Sequence, residues 1–132
     1  MMDWRECIKD KMVKDVKKDT GLINSVKETA KLKIRSAEIL PDELYLVKII
    51  LFYDALREYL ECLSLERGYK IYNHECYTAF LKEILNLSRE ADIFDRLRKT
   101  RNGINYYGLK VSREEAKEII KDLRTLINKF SR

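Results

Sequence analysis

The chain has 132 residues, of which 45% are hydrophobic and 37% charged, with one Pro, four Gly, a single His and no Gln. That is enough for one domain around one core, and it excludes collagen-like, low-complexity and wholly disordered chains. The 27 Lys and Arg against 22 Asp and Glu leave a formal charge of +5, an excess that favours anionic partners but is far smaller than that of a nucleic-acid-binding tail.

Lys-rich, Gln-poor usage with abundant Ile and Tyr resembles that of thermophilic proteins. Cys7, Cys62 and Cys76 are odd in number and far apart, with no Cys-x-x-Cys spacing. They indicate neither a disulfide framework nor a zinc site, and are expected to be buried free thiols. The opening Met-Met-Asp-Trp-Arg-Glu carries charge where a secretory signal needs an apolar run. The greasiest stretch, Leu44 to Phe52, is nine residues long and contains Lys48. It is too short to span a bilayer, so the expectation is a cytoplasmic protein with no membrane role.

Apolar residues recur at helical spacing through almost the whole chain, without sustained period-two alternation, and this predicts an all-α bundle of about five or six helices in one domain over residues 1–132. Trp4, Ile8, Met12 and Val16 mark a first helix ending near Asp19-Thr20-Gly21, with Thr20 as a candidate cap for the next. Ile23, Val26, Ala30, Ile34 and Ala37 trace the second, closed by Pro41. The third, roughly Asp42 to Arg67, is the longest and most apolar and is predicted to be central. Its one polar strip, Asp54, Arg57, Glu58 and Glu61, is narrow, and Gly68 stands where a left-handed terminator belongs. After a turn at Tyr69 to Tyr72, Asn73 caps a helix through Phe80, Leu81, Ile84 and Leu85, and Ser88 begins another through Ile93, Phe94 and Leu97. Ser112-Arg-Glu-Glu115 is a capping box that opens a last helix with Ala116, Ile119, Ile120, Leu123, Ile127 and Phe130 on one stripe.

Candidate chemistry concentrates between Asp95 and Gly108. Arg96, Arg98, Lys99 and Arg101 follow one another with no acid between them, which makes a local anion-attracting patch. Arg101 lies seven residues after Phe94, four after Leu97 and three before Ile104, so its guanidinium shares the core-facing stripe. Two explanations are open: an internal ion pair to Asp54 or Glu58, or a cleft in which the planar, permanently charged fork grips a phosphate. Asn102 and Tyr106 share a face, with Gly103 between them where the backbone can kink or a ligand approach, while Tyr106 and Tyr107 offer rings for base stacking or for ordinary packing. His74 and Cys76 lack the partners of a metal site, and no Gly-rich phosphate loop or nucleophile elbow is present, so no metal or other cofactor is expected.

Arg101-Asn102-x-x-x-Tyr106, late in an all-helical domain of this size, resembles the motif of HEPN (higher eukaryotes and prokaryotes nucleotide-binding) domains: Arg, a polar residue, then His after four to six positions. Lys31 to Leu40 is similar to the family's early helix, and Tyr53 to Leu60, ending in Arg67-Gly68, to its apolar central helix. The resemblance implies a homodimer that brings two motifs to one cleft and a nucleotide or RNA ligand. It also implies, as in prokaryotic toxin–antitoxin members, pairing with a small nucleotidyltransferase. Carried over by residue, it implies Arg101 as phosphate-binding cation and Asn102 as its polar support; Arg98 and Lys99 of the basic patch and the Tyr107 ring are the further ligand-binding candidates, read from charge and stacking. The third position departs from the family, because Tyr106 stands where it has His, and Gly108 replaces a tyrosine two places on. A phenol's reference pKa of about 10, against about 6.5 for imidazole, leaves about one tyrosine in a thousand ionised at neutral pH. The expectation is therefore a binding protein with weak or absent metal-independent ribonuclease activity. The alternatives are a protein-interaction subunit without a nucleic-acid role and a ribonuclease in which Tyr106 replaces His.

Overall fold

A computed structural model describes residues 2–132 and places six α-helices and one two-stranded antiparallel ribbon among them. The all-α bundle expected from periodicity is the architecture found.

Helix α1 (Trp4–Lys9) starts at Asp3, whose carboxylate accepts the Glu6 N–H at 2.8 Å. It is far shorter than the predicted first helix. Ile8 is half exposed, only Trp4 and Cys7 are buried, and beyond the left-handed Lys11 the chain extends into β1 (Val13–Asp15). The strand pairs with β2 (Tyr69–Ile71), Val13 opposite Ile71 and Asp15 opposite Tyr69, so the predicted turn after Gly68 is also extended. Gly68, at φ +83°, ends the preceding helix as expected, and its carbonyl accepts the Val16 N–H at 2.9 Å.

Helix α2 (Thr20–Ile39) is capped by Asp19 rather than Thr20, the Asp19 carboxylate accepting the Leu22 N–H. It buries Ile23, Ala30 and Ala37 and stops before Pro41, where the preceding Leu40 is already extended. After a 3₁₀ turn, α3 (Tyr45–Glu66) runs through the centre and packs most extensively on α2 and α6. Phe52, Tyr53, Ala55, Leu56 and Leu60 are almost wholly buried. Its polar strip is covered too: Glu58 and Glu61 retain only 6% and 8% exposure and must be paired to be there.

Helix α4 (His74–Ala79), capped by Asn73, passes into a π-helical turn at Phe80–Ile84, and α5 (Ser88–Tyr107) is continuous to a left-handed Gly108. The predicted capping box opens α6 (Arg113–Phe130), with both reciprocal hydrogen bonds between Ser112 and Glu115 formed.

One expectation about cysteine is overturned. Cys7 and Cys76, 69 positions apart in sequence, are joined as a disulfide with their Cα atoms 6.0 Å apart. It fastens α1 to α4, and Trp4 completes the attachment by packing edge-on to Tyr69 and tilted against Phe80. Only Cys62 is free; burial pushes its thiol up to about 11, so it remains protonated and inert.

Candidate functional site

The side chains that carry chemistry meet where α3, α4 and α5 come together. Helix α3 supplies Tyr53, Asp54, Arg57 and Glu61, which recur at spacings of three and four and so share one face. Helix α4 adds His74 and Tyr77, and α5 adds Asp95, Arg98, Arg101 and Asn102.

Three half-buried arginines lie here and are held with unequal force. Arg57 donates to Glu61 at 2.7 Å, and Glu61 also accepts from Lys70 at 2.8 Å. Burial alone would raise the Glu61 carboxyl, but these two donors more than offset it and hold the group below its ordinary value. Arg98 gives Nε and Nη2 to one oxygen of the buried Asp95, at 3.2 and 3.0 Å. Lys99 takes the other Asp95 oxygen at 3.0 Å, and Thr78 donates to the first at 3.3 Å. The Asp95 carboxyl is likewise lowered, burial being outweighed by Lys99 and Arg98.

Arg101 is different. Its nearest carboxylate, Asp54, is 3.5 Å from Nη2; its Nη1 reaches the Asn102 side-chain carbonyl at 3.5 Å; its buried Nε has no hydrogen-bond partner. Both contacts are long for charge-assisted hydrogen bonds, which favour about 2.7–2.9 Å. The guanidinium is bracketed by two phenol rings, Tyr53 at 5.4 Å and Tyr106 at 5.9 Å. Of the two acids proposed as internal partners, Asp54 therefore takes the role, loosely, while Glu58 pairs with Lys33 at 3.1 Å.

The other sequence-predicted residues divide. Asn102 touches Arg101 and Tyr106 covers it, so these three converge. Arg98 and Lys99 are committed to Asp95, and Arg96 to Asp122 at 2.7 Å on α6, which neutralises much of the expected basic patch. Tyr107 is 84% exposed, with Tyr106 and Leu109 exposed beside it. Gly103 marks no kink. A Cβ there would stand 2.9 Å from Leu109 Cδ2, so its bareness serves the return of the chain after α5.

His74 lies far upstream of Arg101 in sequence and on another helix. In space its Nδ1 and the Tyr53 hydroxyl share a hydrogen bond at 3.2 Å, and its ring also packs near Tyr77. Burial, followed by the charges of Arg57 and Arg101, lowers His74 to about 4, so the imidazole is neutral at neutral pH. Burial raises the Tyr53 and Tyr77 phenols strongly, leaving both as protonated donors, and the Tyr77 hydroxyl is buried without a hydrogen-bond partner. The one readable signal for this face is the narrow polar strip of α3, because charged groups on a central, otherwise apolar helix need polar neighbours. Which neighbours they were depended on tertiary packing.

Chemically, the arrangement offers a loosely held guanidinium, an amide, phenol donors and a neutral imidazole. Among the described residues no three His, Cys, Asp or Glu side chains converge as metal ligands, and no helix is long and apolar enough to cross a membrane. Comparison with protein-family models, curated proteins and solved structures yields no match.

Proposed function

We propose that this is a HEPN-like helical protein that binds a nucleotide or RNA phosphate through Arg101 and Asn102, at the face where α5 meets α3 and α4. The observation that carries this reading is the loose hold on Arg101. Of three half-buried arginines it alone has no contact shorter than 3.5 Å and an orphaned Nε. A phosphate oxygen reaching Arg101 and Asn102 competes only with contacts of 3.5 Å, whereas capture by Arg57 or Arg98 requires breaking a shorter bond first.

Tyr106 and Tyr107, 67% and 84% exposed, provide rings beside the cation on which a base can stack. With Leu109 they also make an apolar rim, and a homodimer joined across it would set two Arg101 groups along one groove. In this reading a nucleotidyltransferase partner, as in toxin–antitoxin pairs, would dock elsewhere on the helical surface.

A specific observation favours a second activity at the same place. Tyr53 brings the His74 imidazole into the Arg101 cluster, where the motif itself has only Tyr106; lowered to about 4 and bonded to the Tyr53 hydroxyl, the ring is a weak proton acceptor at neutral pH and supports slow cleavage at most. Incubating the protein with single-stranded RNA in EDTA tests metal-independent cleavage, and intact RNA would limit the site to binding.

The principal test is Arg101→Ala in a filter-binding assay with a labelled single-stranded RNA. Loss of one charged hydrogen-bonding group, worth about 1.5–3 kcal/mol, predicts roughly 10- to 100-fold weaker binding. Arg101→Lys should fall between the two, keeping the charge but losing the fork. A folded Arg101→Ala protein that binds as tightly as wild type at the same salt concentration overturns the proposal.

A further inference from the structure

Lys48 lies in the most apolar stretch of the chain, and the site above makes no use of it. In the fold it is buried, 9% exposed, on α3, and the carboxylate that pairs with it is Asp42, 3.2 Å away on the preceding 3₁₀ turn, with a side chain 94% exposed. A buried ammonium tied to an almost fully solvated carboxylate is weakly secured, because water and salt compete for the exposed partner. Lys48 opens instead onto a cavity of about 370 Å³ between α3 and α6, which it lines together with Arg113, Lys117 and Arg124.

Four cations thus surround one hollow whose single lining acid is Asp42. Other carboxylates reach two of them from outside: Glu114 is 3.6 Å from Lys117, and Glu38 is 3.1 Å from Arg124. Both are substantially solvated, with side-chain exposures of 83% and 48%, so an incoming anion displaces them at little cost. Arg113 forms no ion pair within 4 Å among the described residues. The inner wall is formed by Tyr45, Ala116 and Ile120 over the buried Phe52, and Arg124 lies 4.7 Å over the Phe52 ring, which fixes its guanidinium at the edge of the hollow. Clustered cations on one side and an aromatic wall on the other suit a charged head with a small unsaturated or aliphatic body. The volume lies near the lower end of small-molecule pockets, about 300–1,000 Å³.

We propose that this cavity is a second anion site, separate from Arg101, that binds a small phosphomonoester with its phosphate among Lys48, Arg113, Lys117 and Arg124 and its organic part against Tyr45 and Ile120. It rests on none of the residues assigned to the RNA-phosphate face. The phosphate replaces Asp42 as the partner of Lys48, and two arginines are available to hold it bidentately.

Isothermal titration of the full chain with phenyl phosphate, inorganic phosphate and phenol tests the assignment. Phenyl phosphate should bind more tightly than inorganic phosphate, and phenol should not bind measurably. Arg113→Gln/Lys117→Gln changes only exposed side chains and should weaken phenyl phosphate at least about tenfold, the equivalent of roughly 1.4 kcal/mol. Lys48→Met should do the same, while Arg101→Ala should leave the affinity unchanged. No binding by wild type at millimolar phenyl phosphate, or equal affinity in the folded Arg113→Gln/Lys117→Gln protein, overturns the site. Phenyl phosphate no tighter than inorganic phosphate overturns the organic part of the assignment. Loss of binding in Arg101→Ala alone would place the ligand on the other face and overturn it as well.

Discussion

Acidification between about pH 6.5 and about pH 4 should destabilise this protein through His74. The imidazole ordinarily titrates near 6.5, and in the folded chain burial and the neighbouring Arg57 and Arg101 lower it to about 4. Within that window the unfolded chain takes up a proton that the folded chain refuses. Stability contributed by the neutral ring is therefore complete above about 6.5, falls as pH drops, and stops falling below about 4. The gap corresponds to a ceiling of about 3 kcal/mol, which solvent screening of a partly exposed ring reduces to about 1–2 kcal/mol, about 1 kcal/mol of it lost by pH 5. Glu61 and Asp95 have lowered values, so their stabilisation is present above the ordinary carboxylate range and is lost at more acid pH, as they themselves protonate in the fold. The assay is urea unfolding followed by circular dichroism at several pH values, for wild type and His74→Gln. Carboxylate effects are common to both proteins, so the difference between their stabilities isolates the ring, and wild type should lose about 1 kcal/mol relative to the variant between neutral pH and pH 5. Parallel profiles would show that His74 does not sit in the cationic, desolvated surroundings described, and the argument for a neutral imidazole beside Arg101 would go with them.

Reduction of the Cys7–Cys76 bond opens a closed loop of about 70 residues, and the chain-entropy view assigns that closure about 4 kcal/mol. Dithiothreitol should lower the urea midpoint while helicity persists, and identical curves for protein shown by thiol titration to be oxidised and reduced would refute this. Gly68→Ala forces a side chain onto a residue at φ +83° with the Val16 carbonyl 3.3 Å from the new Cβ, and should cost at least about 1 kcal/mol in thermal unfolding. Ser112→Ala removes half of the α6 capping box and should cost about 1 kcal/mol, with RNA and phenyl phosphate affinities unchanged. Tyr107→Glu puts a charge on the exposed rim beside Arg101, so light scattering should report a monomer if that rim joins two copies; an unaltered dimer would place the interface elsewhere.

Much of this fold is local and was legible as such. The stripe of α6 with its capping box, the Pro41 stop, the Asn73 cap and the left-handed Gly68 all follow from interactions within a few residues, which a sequence displays directly. The amino-terminal segment departs from its own helical spacing because its strand is fixed from a distance. Trp4, Ile8, Met12 and Val16 keep helical spacing, but Val13–Asp15 gains its hydrogen bonds from Tyr69–Ile71, and no local pattern encodes a partner more than fifty positions away. The Cys7–Cys76 bond depends on the same long-range closure.

The candidate site divides along that line. Arg101 and Asn102 stood out because a guanidinium on a core-facing stripe contradicts its surroundings, and Lys48 was visible as a charge within the greasiest run. Only the packing of α4 against α3 decided that His74 would share a hydrogen bond with Tyr53, and only the meeting of α3 and α5 decided that Asp54 would approach Arg101 without gripping it. Residue type fixes which groups carry charge and which protons can move. Distances of a few ångströms between helices decide whether those charges are satisfied internally or left for a ligand, because electrostatic and hydrogen-bond energies change steeply over that range.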